Sequence, residues 1–177
     1  MPAVRRLLWH AIVAVLVLPG AVAFAVPLLV LRAPAPSMTF GLPGFLLTAV
    51  GCVLLAWCIH AFFVTGHGTL APWAPPRCLV RVGPYRVTRN PMYVGVLLIL
   101  VGWSIAFRST SHLAYAALVL VAFHLRVVLA EEPWLARTFP AAWQAYSASV
   151  PRWVGLGVWG RSGPANDSLP GGGHHHA

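Results

Sequence analysis

The chain is 177 residues long, enough for one compact domain. It is 59% hydrophobic and only 8% charged, with a mean hydropathy of +0.77 and a net charge of +9. Soluble domains are about 25% charged, so this composition excludes a soluble acidic enzyme, a disordered tail protein and a disulfide scaffold, and predicts an integral membrane protein.

All twelve basic residues are Arg, and the three acids are Glu131, Glu132 and Asp167. A nucleic-acid binder gathers its charge on a polar face with interleaved aromatics. Here the Arg residues lie between apolar stretches, so membrane topology explains them and no nucleic-acid partner is expected. Cys52 and Cys58 fall in an apolar stretch and Cys78 in a loop, without a CxxC pair, so neither zinc nor a disulfide framework is predicted.

A spanning helix needs roughly 20 apolar residues. Residues 7–31 qualify as the first span, kinked at Pro19-Gly20 and Pro27. Arg5-Arg6 and the small residues Ala21 to Ala25 also resemble a secretory signal, but the apolar run continues to Leu31 and favours a retained span. Residues 40–64 form the second span. The following loop, Gly66 to Val82, contains Pro72, Pro75 and Pro76, which oppose helix; it is expected to be extended and to fold over the membrane surface or line a cavity.

The next segment is Gly83-Pro84-Tyr85-Arg86-Val87-Thr88-Arg89-Asn90-Pro91-Met92-Tyr93-Val94-Gly95. Gly-Pro marks a turn, and Asn90-Pro91 reads as a helix start with Asn as N-cap and Pro in the first helical position. The third span runs from 92 to about 110. Its N-terminal N–H groups, with Arg86 and Arg89, favour an anion such as a carboxylate or phosphate; the plain alternative is that these Arg residues bind lipid phosphate or snorkel.

Residues 112–130 form the fourth span, ending at Glu131, Glu132 and Pro133. Ionisable groups at membrane depth are costly and are functional candidates. The two carboxylates can clamp Arg86 and Arg89, face a bound cation, or divide these tasks; a proton-accepting role is open to either. Leu135, Phe139, Trp143 and Tyr146 then recur at helical spacing and predict an amphipathic segment, whose aromatics serve as interfacial anchors or as a wall for a cation. His10, His60, His112 and His124 show no ligand spacing and are read as packing or interfacial residues, and no metal site is expected; His60 and His67 flank the candidate cavity. Residues 161–177 are Gly, Pro and polar residues and are expected to be a disordered tail, His174 to His176 included.

These elements give an all-α membrane protein of four transmembrane helices, with one domain over residues 1–160. The first, third and fifth non-spanning segments carry nine Arg residues against two in the others, which places both termini and the 65–91 loop in the cytoplasm. The bacterial inner membrane is the expected location. Nothing in the sequence sets an oligomeric state.

Gly83-Pro84-Tyr85-Arg86-x-x-Arg89-Asn90-Pro91-Met92-Tyr93-x-Gly95, followed by Glu131-Glu132-x-x-Leu135 and by Phe139, Tyr146 and Val150-Pro151-Arg152, resembles the integral-membrane methyltransferases of the isoprenylcysteine carboxyl methyltransferase and phospholipid methyltransferase families and their bacterial relatives. The resemblance covers residues 66 to 153. It implies S-adenosylmethionine as cofactor, held on the cytoplasmic side between the last two spans, the loop and the C-terminal segment, and a lipophilic acceptor entering from the bilayer. By position it implies a cofactor site of Tyr85, Arg86, Arg89, Asn90, Pro91, Tyr93 and Glu132, closed by Tyr146 and Arg152, with Glu131, Glu132 and Arg89 in the chemistry. Asn90 stands where isoprenylcysteine enzymes usually carry His, Pro140 where Gly is usual, and Trp143 where Tyr is usual. These departures weigh against a prenyl-cysteine acceptor and leave the cofactor in place. A prenylated carboxylate and a lipid amine are the two acceptor types. The competing readings are a non-catalytic membrane protein of the same fold and a nicotinamide-dependent membrane reductase.

Overall fold

The computed structural model describes residues 16–29, 40–65 and 79–154. Expectations for His10, His67, Cys78, most of the long loop, the start of the first span and the tail lie outside these residues.

The described chain is helical, with no strand among the described residues. The elements are α1 (Leu16–Ala25), α2 (Val26–Leu29), α3 (Gly41–Thr65), a 3₁₀ turn (Gly83–Arg86), α4 (Pro91–Phe107), α5 (Thr110–Arg126), a π turn (Val127–Glu131), α6 (Glu132–Thr138) and α7 (Pro140–Ser149). Residues 16–25 are wound as a π-helix across Pro19-Gly20, where the sequence predicts a kink.

Two of these helices are long and apolar enough to cross a membrane: Gly41–Ala61 and the continuous run Thr110–Thr138, which includes the π turn and α6. Only 28% and 17% of their apolar windows are buried in the protein. A core helix of a soluble protein would be mostly buried. Here Leu42, Leu46, Val50, Val53 and Trp57 on α3, and Leu113, Leu118, Val121, Leu125 and Leu129 on the second run, are exposed. Such surface is costly in water and suits lipid. Gly20–Leu29 and Pro91–Phe107 are shorter apolar helices.

α3 and α4 are antiparallel and form the centre of the packing. Their contact is made by small residues seven apart, Gly44 and Gly51 on α3 against Gly95 and Gly102 on α4. A Cβ on Gly51 would stand 2.7 Å from the Gly95 carbonyl oxygen, and one on Gly102 would stand 2.7 Å from that of Gly44. In lipid, where solvent exclusion does not drive helices together, this backbone approach supplies the attraction. Ile99, Leu100, Val96 and Leu55 fill the seam, joined by Ala23 of α1 and by Ala116 and Val119 of α5. Trp103 donates to the Ala23 carbonyl at 3.2 Å and Tyr115 to that of Val22 at 3.2 Å, which fastens α1 to α4 and α5.

α4 and α5 are joined by a two-residue turn. Arg108 adopts a left-handed conformation (φ 47°) to end α4, and its guanidinium lies 5.2 Å from the centre of the Phe40 ring. His112 is buried and bonds the Ser109 hydroxyl at 2.8 Å, the packing role its sequence position predicts. His124 is exposed and accepts the indole N–H of Trp153 at 3.3 Å.

The third helix ends at Phe107 and not near 110, because left-handed Arg108 stops it, and the fourth begins at Thr110 and not at 112. Three further features differ from the sequence-based expectations. The fourth helix does not stop at residue 130; it passes through both Glu residues and Pro133, because a Pro in the first turn of α6 lacks only an N–H that the preceding π turn leaves free. The amphipathic segment is two helices, broken at Phe139 (φ −132°, ψ 60°), since the residue before Pro140 is driven out of helical geometry. Asn90 occupies the cap position of α4, but its side chain does not cap the helix.

Candidate active site

The start of α4, the end of the long helical run and the residues after α7 meet at one end of the helices. The 3₁₀ turn sets up this meeting. Gly83 has φ +56°, a conformation open to glycine, and a Cβ there would stand 3.0 Å from the Trp57 indole nitrogen. The turn buries Pro84 and Tyr85 against α3, with Cys58, Ala61 and Val80. The Tyr85 carbonyl accepts the Tyr146 hydroxyl at 2.8 Å, so α7 is pinned to the turn. Both phenols are buried, and burial raises the proton affinity of each above that of an ordinary tyrosine.

The C-terminal segment is held from the other side. The Arg89 N–H donates to the Pro151 carbonyl at 2.9 Å. The Arg152 carbonyl accepts from the Thr88 hydroxyl at 3.0 Å and from the Asn90 amide at 2.9 Å. The Asn90 side chain, read from sequence as an N-cap, therefore serves as a docking donor. The Arg152 guanidinium closes the ring with a two-point bond to Glu132, Nε to Oε1 and Nη2 to Oε2, each 2.8 Å. Arg89 Nη1, just before α4, reaches the same Oε1 at 3.1 Å.

Glu132 is thus held by two guanidinium groups, and its side chain is only 17% exposed. A carboxylate taken out of water needs such pairing. Of the two tasks the sequence leaves open for the Glu pair, Glu132 performs the clamp, with Arg89 and Arg152 as partners. Arg86 does not take part: it is exposed at the end of the turn. Arg89 lies 5.2 Å over the Trp143 ring, and its Nε is buried without a hydrogen-bond partner among the described residues. Trp143 therefore provides an aromatic face for this guanidinium.

Glu131 is set differently. Its Oε1 accepts from the Tyr93 hydroxyl and from Arg126 Nε, the latter at 2.8 Å. Arg126 Nε also lies 3.1 Å from the Tyr93 oxygen, and the Tyr93 ring stacks on Phe123 at 4.2 Å. The π turn makes this triad. In an ordinary helix Arg126 would face residue 130; the wider turn brings it over Glu131, five residues on. Among the described residues, Glu131 Oε2 has no partner.

Arg89, Asn90, Glu132 and Arg152 accordingly form one network, to which Tyr146 and Tyr85 are joined through Trp143, and Tyr93 and Glu131 form a second beside it, tied to the first through the adjacent positions 131 and 132; Pro91 opens α4 between them, and Arg86 stands apart from both. Thr88 and Pro151 complete the first network and Arg126 the second, and these three were not predicted, whereas Trp143 serves as the aromatic wall for a cation that the sequence offers. Arg126 had a signal in the sequence, as the one Arg inside a span.

The family model for phospholipid methyltransferase matches residues 40–142, from the start of α3 into α7. This is over half of the chain and includes Arg89, Asn90, Tyr93 and both Glu residues. The chain belongs to the phospholipid methyltransferase family. With its long lipid-suited helices, membership makes it a membrane methyltransferase. Tyr146 and Arg152 lie beyond the matched segment, yet the contacts above join them to it. No curated protein and no solved structure matches the chain.

Proposed function

We propose that this membrane methyltransferase uses S-adenosylmethionine and methylates a small lipophilic substrate that enters from the bilayer. The observation that carries the reading is the division of labour at the Glu pair: Glu132 ties Arg89 and Arg152 into a closed polar ring, while Glu131 beside it keeps an open carboxylate oxygen. The fit to the cofactor rests on Arg89. A buried guanidinium N–H without a partner costs about 1–3 kcal/mol, and a carboxylate is the group that would satisfy Arg89 Nε.

When bound, S-adenosylmethionine supplies an activated methyl group on a sulfonium, so the protein need only position the partners and exclude water. Arg89, Asn90 and the start of α4 would hold its carboxylate end, and Trp143 and Tyr146 would wall the site. Arg152 and its carbonyl tie the C-terminal segment to the start of α4 and to Glu132. Glu132 keeps the two arginines in place. Glu131 Oε2 takes a proton from an ammonium acceptor, which frees the nitrogen lone pair for attack; a carboxylate acceptor needs no such step.

The site lies in one domain of residues 1–160, with four spans. The excess of Arg on alternate segments puts the site and both termini on the cytoplasmic face of a bacterial inner membrane.

The test is transfer of a labelled methyl from S-adenosylmethionine to a lipid amine or a prenylated carboxylate in membranes containing the protein. The reading predicts organic-phase label with one of them. Alkali distinguishes the products, since a methyl ester is hydrolysed and an N-methyl group is not. Absence of transfer to either, together with failure to bind the cofactor, would overturn it.

A further inference from the structure

Three arginines touch the Glu pair, and they are not used alike. Arg152 commits Nε and Nη2 to Glu132. Arg89 commits Nη1 to Glu132, stacks on Trp143 and is only 13% exposed. Arg126 spends only its Nε, shared between Tyr93 and Glu131, and its side chain is 51% exposed.

A guanidinium has five N–H donors in a planar fork. Four of those of Arg126 have no partner among the described residues. They belong to a half-exposed side chain on a helical run whose neighbouring Leu125 and Leu129 are also exposed. A cation on an apolar, lipid-facing surface calls for an anion. Glu131 meets that need only through Nε, and its own Oε2 remains open alongside. The cluster therefore presents a donor fork and a carboxylate oxygen side by side, on the face from which a lipid would arrive.

We propose that Arg126 is a specificity-determining residue: its Nη groups bind an oxyanion of the lipid acceptor, while its Nε fixes Glu131 toward the reacting group. The ligand chemistry is a lipid-borne phosphate or carboxylate, and the inference rests on the methyltransferase reading above. The planar fork suits either oxyanion with two parallel bonds, which a lysine ammonium does not reproduce. An anion-free amine of the same tail length lacks this contact.

The experiment is calorimetric titration of detergent-purified protein, with and without S-adenosylhomocysteine, using three probes: a short-chain aminophospholipid, a prenylated carboxylate, and an alkylamine of matched tail. Wild type, Arg126→Gln, Arg126→Lys and Glu131→Gln are compared. The proposal predicts that wild type binds one oxyanion lipid and that Arg126→Gln weakens it by about tenfold or more. Arg126→Lys weakens it less, and the alkylamine and S-adenosylhomocysteine affinities stay unchanged in both. Glu131→Gln retains the oxyanion affinity. The weakened probe identifies phosphate or carboxylate as the source. Equal binding of the oxyanion lipids by wild type and both Arg126 variants would overturn the proposal, as would no oxyanion binding by a wild type that binds S-adenosylhomocysteine. Loss of S-adenosylhomocysteine affinity in Arg126→Lys would assign the residue a structural role instead. Failure of wild type to bind S-adenosylhomocysteine would remove the methyltransferase reading, while the lipid titrations would still measure the Arg126 contact.

Discussion

Adjacent carboxylates in one helical turn have separate fates here because each faces different partners. Glu132 turns toward Arg89 and Arg152, and Glu131 toward Tyr93 and Arg126. Glu132→Gln would leave two guanidinium groups around a neutral amide, so the C-terminal segment should loosen. The expected cost is about 1–3 kcal/mol, read as a lower thermal midpoint in detergent and faster proteolysis near residue 150. Glu131→Gln leaves the clamp intact; its expected effect is a loss of about 10²–10⁴ in kcat with an amine acceptor, with an unchanged thermal midpoint. The sequence locates both residues and does not divide their tasks. The division depends on a π turn, which pairs residues five apart where helical periodicity pairs residues three or four apart. Asn90 was legible as a helix boundary but not as a donor to the Arg152 carbonyl, 62 residues away.

Tyr85 and Tyr146 give a pH prediction at the same scale. Burial raises both phenols above the ordinary tyrosine value of about 10. In the unfolded chain they ionise near that ordinary value, whereas in the folded chain they keep their protons. Their stabilising effect is therefore complete below about pH 10 and is lost as the pH rises toward the folded values. The thermal midpoint should fall more steeply above pH 10 in wild type than in Tyr146→Phe, measured by melting across pH 8 to 11. Parallel curves would contradict the assignment.

At the scale of elements, the α3–α4 contact governs whether the site forms, because α4 carries Tyr93 in its first turn and directly follows Arg89 and Asn90. The Gly51–Gly95 and Gly44–Gly102 approaches leave no room for a side chain. Gly51→Leu should destabilise the protein by about 1–3 kcal/mol and weaken cofactor binding through displacement of α4, measured by melting and by titration. An exposed substitution on the same helix, Val53→Leu, should alter neither. Hydropathy reveals these helices plainly, since each is an apolar run bounded by Pro, Gly or Arg. It does not reveal which glycines touch, because a helix apolar all round carries no facing stripe. The break at Phe139 was foreshadowed by Pro140, although the periodic apolar positions suggest one continuous segment.

Across the whole molecule, the polar ring lies at one end of the helices and the Arg108 turn at the other. The Arg count of the sequence predicts that these ends lie on opposite sides of the membrane. A single reporter cysteine at Arg86, in a background with Cys52, Cys58 and Cys78 replaced, should react with an impermeant reagent only from the cytoplasmic side. One at Arg108 should react only from the outside. Labelling of both from one side would reject the topology.

If the ring around Glu132 and Arg89 belongs to a cofactor site, detergent-purified protein should bind S-adenosylhomocysteine in a calorimetric titration. Wild type should bind with micromolar affinity, on the order of −8 kcal/mol, and Glu132→Gln should lose that binding. A folded wild type that releases no heat on titration, or a Glu132→Gln variant that binds as tightly as wild type, would contradict it.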